Sequence, residues 1–218
     1  MTRHEFLRIL TDLGDPTLLM LGGLGLFLHL WSHEEQRALA GGWAMTFGLC
    51  VLLTVTSKLV LYLIAGNEET SAVLRSPSGH AAIATGFYGC LALVLATGRT
   101  RIVRALLCVA TAGLIAMIAA SRLMLGLHTV PEVAAGLAIG ALAVAVFGAR
   151  TKGERPTLLH AGQVVALLVL IGAARSSRID GEALIQHLAQ RIAVLPGGEA
   201  NDVMEWATNL AARFGARL

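Results

Sequence analysis

The chain has 218 residues, of which 56% are hydrophobic and only 14% charged, with a formal net charge of +3. A chain so poor in charge is not a freely soluble globular domain; its long apolar stretches belong in a bilayer. No basic stripe interleaved with aromatics accompanies the small positive charge, so nucleic acid is not expected as a partner.

In chain order, residues 1–15, MTRHEFLRILTDLGD, mix acids and bases with apolar residues at helical intervals and predict an interfacial helix rather than a cleaved signal. Apolar runs follow at 16–32, 39–65, 81–98, 102–120, 130–148 and 157–174. Each is close to the ~20 residues that cross ~30 Å of hydrocarbon as a helix. A backbone in lipid must satisfy its own hydrogen bonds, so the expected fold class is all-α, a polytopic transmembrane helical bundle of five to six spans over 16–174. Small residues in LGGLGLF (21–27), ALAGGWA (38–44) and EVAAGLAIGALAVA (132–145) predict faces where helices approach closely. Cys50, Cys90 and Cys108 all fall within spans and are expected as buried small hydrophobes, not as disulfides or metal ligands. The tail, 175–218, holds two amphipathic stretches, GEALIQHLAQRIAVL (181–195) and NDVMEWATNLAARF (201–214), separated by a Pro-Gly-Gly breaker.

The loops at 32–38, 99–104 and 149–156 share one face and hold Arg37, Arg99, Arg101, Arg104, Arg150, Lys152 and Arg155, whereas the loop at 66–77 holds only Arg75. The positive-inside bias therefore makes the first face cytoplasmic and the second periplasmic or exterior, in a bacterial-type inner (plasma) membrane. The five arginines from Arg175 onward run against this bias if 157–174 spans, although long segments weigh less in it.

The outer face is where the chemistry-bearing residues gather. From His80 to Arg122 is 42 residues, two crossings and a short turn, so RSPSGH (75–80) and SRLMLGLH (121–128) emerge together, with Lys58 near the end of the 39–65 span. Ionisable groups in spans cost roughly 2.5–3.5 kcal/mol each on insertion scales, and a bound polyanion would account for Lys58, Arg75, His80, Arg122 and His128 on one face. The SPSGH turn ahead of a helix offers Ser78, Gly79 and free N–H groups to a phosphate, with Pro77 fixing the turn. Two histidines divide the work of phosphoryl transfer, one attacking phosphorus and the other protonating the departing alkoxide, without any cofactor or metal. Glu132, four residues past His128, is placed to orient its imidazole, and Thr129 with Pro131 predicts a helix start that keeps Glu132 in the first turn.

At these residues the chain resembles the type-2 phosphatidic acid phosphatase superfamily. Its pattern is a Lys-led motif ending in Arg-Pro, then Pro-Ser-Gly-His, then Ser-Arg, five residues, His, three residues, Asp. PSGH (77–80) is identical, and SRLMLGLHTVPE (121–132) matches Ser, Arg and His with Glu in place of Asp. In KLVLYLIAG the Lys is Lys58, but Ala65 and Gly66 stand where the family has Arg-Pro. The resemblance covers roughly 16–148 and implies His128 as nucleophile, His80 as acid to the leaving group and Glu132 as orienting partner. It implies Lys58, Ser78, Gly79 and Arg122 on the phosphate; Arg75 is the residue nearest to replacing the absent Arg. It further implies a lipid phosphate substrate, a phosphomonoester or a diphosphate. The family usually has six spans with the Lys motif closing the third; here it closes the second, so the resemblance leads us to expect that the family's first helix is absent and that the run at 157–174 compensates.

Singly, these residues have plain explanations: Lys58 as a snorkelling residue, Arg122 as an interface anchor, PSGH as a capping turn. His4, His29, His33, His160, Gln163 and His187 have no partner at motif spacing and are read as structural, and Glu68 and Glu69 as solvated charges. Two alternatives to a lipid phosphatase stand beside it: a lipid phosphotransferase using the same His128, and a non-catalytic lipid-binding membrane protein. A homo-oligomer is left open.

Overall fold

The computed structural model describes residues 2–65 and 76–151. Among the described residues are six α-helices: α1 (Arg3–Leu13), α2 (Pro16–Trp31), α3 (Arg37–Ala65), α4 (Gly79–Ala96), α5 (Arg101–Met124) and α6 (Val130–Arg150), with one 3-10 turn, Glu34–Gln36, between α2 and α3. The protein is all-α, with no strand among the described residues. Among the described residues, five helical stretches are long and apolar enough to cross a membrane: His4–Trp31, Glu34–Leu63, Gly79–Ala96, Arg101–Met124 and Val130–Arg150. The run at 157–174 and the tail at 175–218 lie outside the described residues.

α1, α2, α4 and α5 begin where the chain supplies a side-chain cap. Thr2 and Glu5 exchange hydrogen bonds at the start of α1 (2.7 and 3.2 Å), which leaves α1 at eleven residues a surface helix with Leu7 and Leu10 turned inward. The chain breaks at Gly14 and restarts with the Asp15 carboxylate accepting from Leu18 N (3.0 Å) and Pro16 in the first turn of α2. Ser78 opens α4 and Thr100 opens α5.

α4 is the centre of the bundle and packs on α2, α3, α5 and α6, whereas α5 stands at the edge with Ile102, Leu106 and Val109 exposed. In water such a helix face would be a liability, but in a bilayer it is the lipid surface. The core is aromatic: Trp43 stacks on Phe47 (centroids 5.3 Å apart) and meets Phe87 and Phe147 edge-on. Trp43 Nε1 donates to the Gly23 carbonyl (3.0 Å), so the indole is satisfied and α3 is fixed against α2. Cys50 and Cys90 are buried as expected, but Cys108 is exposed on α5. Hydropathy reports that a residue is apolar, not which side of its helix meets lipid.

α1 is tied to the rest at its end. Thr11 Oγ1 and Ser121 Oγ of α5 are 2.7 Å apart, Tyr88 Oη of α4 donates to the Leu13 carbonyl (2.7 Å), and Gly14 lies against Ile118. The α1–α2 corner is thereby fixed at the end of the bundle where α5 finishes and α4 begins.

Candidate active site

That end of the bundle collects the sequence motifs. Gly79 sits so close to α3 that a Cβ there would lie 3.4 Å from Lys58 Cε and 4.0 Å from Thr54 Cγ2. Lys58 is buried to 2% exposure, and its Nζ donates to Ser76 Oγ (3.3 Å). The strap Ser76-Pro77-Ser78 is buried throughout and leads into α4, where the Ser78 hydroxyl caps Ala81 N and the Ser78 carbonyl accepts from Ala82 N (3.0 Å). The N–H groups of Gly79 and His80 fall in the first turn, which has no helical carbonyls to receive them, and point with the positive end of the helix dipole. His80 is half-buried there, within electrostatic reach of Arg122, His128 and Lys58.

Arg122 and His128 are brought together by the way α5 ends. Leu125 closes the helix, Gly126 turns it with φ of +66°, and Leu127 and His128 both donate their N–H groups to the Arg122 carbonyl (3.0 and 3.4 Å). With Gly126 N bonded to the Leu123 carbonyl (3.0 Å), this is a Schellman cap, which needs a left-handed residue at Gly126. The five residues between Arg and His in the motif are thus a closed helix end that folds His128 back toward Arg122, itself buried in the last turn of α5.

α6 starts immediately afterwards and supplies the carboxylate. Glu132 is buried, its Oε2 accepting from His128 Nδ1 (3.1 Å) and Thr129 N (2.9 Å), its Oε1 from Ser76 N (3.3 Å), and its carbonyl from Ser78 N (2.9 Å). A carboxylate facing Nδ1 requires a proton there, which leaves Nε2 with its lone pair. Burial pushes the His128 imidazole below the ordinary histidine value of 6.5; the bond to Glu132 opposes this, while Arg122 and Lys58 add to it. α6 reaches the strap because Gly136 lacks a side chain: a Cβ there would overlap the Ser78 carbonyl oxygen.

Of the residues expected from the sequence, Lys58, Ser78, Gly79, His80, Arg122, His128 and Glu132 therefore stand at one end of the bundle, on α3, α4, α5 and α6 and the links between them. Arg75 lies outside the described residues. Not foreseen were the contacts of Ser76, which touches both Lys58 and Glu132 and figured only as the first residue of the SPSGH turn, and the role of Gly136, noted only as part of a packing stripe.

Apolar helices long enough to cross a membrane, with a His-Glu pair, a second histidine and buried cations at one helix-end cluster, are similar to the type-2 phosphatidic acid phosphatase superfamily. Residues 62–154 match the family model described as PAP2 superfamily, whose members are phosphatases. The match takes in both histidine motifs and leaves Lys58 just outside. The chain is also similar to a Klebsiella pneumoniae protein described as "Uncharacterized 22.5 kDa protein in cps region", 26% identical over 193 residues that cover 86% of this chain and 92% of the relative. No solved structure matches the chain.

Proposed function

We propose that the protein is an integral membrane lipid phosphatase that hydrolyses a phosphomonoester or diphosphate of a lipid through a phosphohistidine. The observation that carries this is the His128 Nδ1–Glu132 Oε2 bond of 3.1 Å, which leaves Nε2 for attack beside the other buried site groups. Nε2 of His128 attacks phosphorus as the ester P–O bond breaks, and His80 gives its proton to the departing alkoxide or lipid phosphate. Water then attacks the phosphohistidine, the P–N bond breaks, and His80 takes the water's proton, releasing inorganic phosphate. Lys58, Arg122 and the N–H groups of Gly79 and His80 stabilise charge on the equatorial oxygens, with the Ser78 turn holding them in place and Arg75 as a further cation. Every step is carried by protein side chains and water, and neither a metal nor an organic cofactor is required by it.

The basic residues Arg37, Arg99, Arg101, Arg104 and Arg150 lie at the opposite end of the helices, which supports a site on the periplasmic or exterior side of a bacterial inner membrane. The apolar flanks of the bundle then receive the acyl or prenyl chain while the head group reaches the site.

The test is a panel of phosphatidate, phosphatidylglycerol phosphate and polyprenyl diphosphate given to purified protein in detergent, with chelator present. Release of inorganic phosphate from at least one substrate, inhibited by vanadate and absent in His128→Gln, is the expected result. Turnover retained in His128→Gln would refute the nucleophile, labelled phosphate in a second lipid would make the protein a transferase, and no turnover of any substrate would leave it a binding protein.

A further inference from the structure

We propose that Ser76 is a positioning residue for the reaction: its hydroxyl aims the Lys58 ammonium at the phosphate, while its N–H fastens the same strap to the carboxylate that orients His128. This deepens the proposed function and rests on its placing of Lys58 on phosphate.

The position precedes the PSGH motif. It is nevertheless buried, at 3% exposure, between two charged groups that are themselves buried: Lys58 Nζ is 3.3 Å from its Oγ, and Glu132 Oε1 is 3.3 Å from its N. A lysine side chain has four rotatable methylenes and a point charge, so burial alone does not aim it. Among the contacts that hold the ammonium is the one to Ser76 Oγ. The strap that carries it is held from the other side twice, by Glu132 Oε1 on Ser76 N and by the Glu132 carbonyl on Ser78 N (2.9 Å).

The carboxylate's length makes the second hold feasible. With Oε2 occupied by His128 and Thr129, the other oxygen must extend to the strap. One side chain thereby sets both the imidazole and the strap, and through Ser76 the position of the ammonium. The cationic side of the site and its nucleophile are joined by a path of three hydrogen bonds: Lys58 to Ser76, Ser76 to Glu132, Glu132 to His128.

The test compares Ser76→Ala and Ser76→Cys, both of which keep the backbone N–H and lose the hydroxyl, in wild-type and Lys58→Met backgrounds. Two readouts are taken: kcat/KM on the lipid phosphate that the panel identifies, and the dissociation constant of inorganic vanadate measured by calorimetry. The expected effect in the wild-type background is a loss of about 10-fold in both, the scale of one hydrogen bond to a charged group. In the Lys58→Met background the same substitution is expected to cost at least threefold less, because the ammonium it aims is gone. Equal costs in the two backgrounds, or wild-type values in Ser76→Ala and Ser76→Cys, would overturn the proposal. If the wild-type protein hydrolyses none of the lipids, the proposed function fails on that result alone, and the vanadate constants still decide the role of Ser76.

Discussion

Replacing Glu132 with Gln keeps the size of the side chain and removes one acceptor. The partners of the carboxylate include three N–H donors, His128 Nδ1 (3.1 Å), Thr129 N (2.9 Å) and Ser76 N (3.3 Å), and an amide cannot satisfy all three. If the amide oxygen faces His128 and Thr129, the NH2 meets Ser76 N–H donor against donor and the strap loosens. If it flips, the NH2 faces His128 and forces the proton onto Nε2, the attacking atom in the proposed mechanism. A lost hydrogen bond to a charged group is worth about 1.5–3 kcal/mol, or roughly 10- to 150-fold in rate. A tautomer inversion of this type cost a serine protease about 10⁴-fold. We expect kcat/KM of Glu132→Gln to fall by about 10²-fold, approaching 10⁴-fold where the flipped amide dominates. The pH profile supplies a second, signed readout. In the proposed mechanism His128 attacks as the neutral imidazole, so activity is expected to fall on the acid side as it protonates, below the ordinary 6.5 because burial has lowered its pKa. Glu132 is the group that raises that pKa; without it, burial, Arg122 and Lys58 all lower it. The acid limb of Glu132→Gln should therefore move to lower pH while the maximum falls. Phosphate release from micellar lipid phosphate, followed across pH in both proteins, measures this. A variant within twofold of wild type, or an acid limb displaced upward, would refute the orienting role.

Gly136→Val should lower both stability and activity, since its side chain would overlap the Ser78 carbonyl and crowd Ala81 Cβ and Ala82 N, each 3.2 Å from a Cβ at this site; overpacking of this kind costs about 1–3 kcal/mol. A melting temperature in detergent equal to wild type would refute the close approach. Thr11→Val removes the 2.7 Å contact to Ser121, a partly buried hydrogen bond worth about 0.5–1.5 kcal/mol. The expected result is a modest loss of thermal stability, checked by the same melting assay, and no change would mean that α1 is held by its leucines alone.

What the sequence made legible follows from what hydropathy and spacing measure. The five described spans were readable because each is a long apolar run, yet the run that becomes α5 ends at 120 while the helix continues to Met124. Ser121 and Arg122 break the apolar pattern but not the helix, since their polar groups face the site and α1 rather than lipid. Histidine, arginine and glutamate spacing was readable because a helix cap and a first helical turn are local objects. Lys58 with Ser76, and Thr11 with Ser121, were not: those pairs stand 18 and 110 residues apart, and only packing brings them together. Which side of α5 carries Cys108 was illegible for a related reason, as core and lipid are equally apolar to a hydropathy scale.

The depth of the site follows from unequal helix lengths. α3 has 29 residues and α4 has 18, about 43 and 27 Å at ~1.5 Å per residue. α3 starts and α4 finishes at the arginine-rich end of the bundle, so α4 falls short of the other end by eleven residues of α3, counted back from Ala65 to Thr54. That is where its first turn is found: Gly79 packs against Thr54 and Lys58. A helix close to the length that crosses ~30 Å of hydrocarbon therefore begins well below the end of its neighbour, and the lysine lies within α3 rather than at its tip. Buried charges at such a depth are costly singly, at roughly 2.5–3.5 kcal/mol on insertion scales, and they persist here because the strap, the α5 cap and the first turn of α6 surround them with hydrogen-bonding groups. The short α4 thus does two things at once: it opens room for polar groups beside α3, and it aims its own N–H groups and dipole into that space.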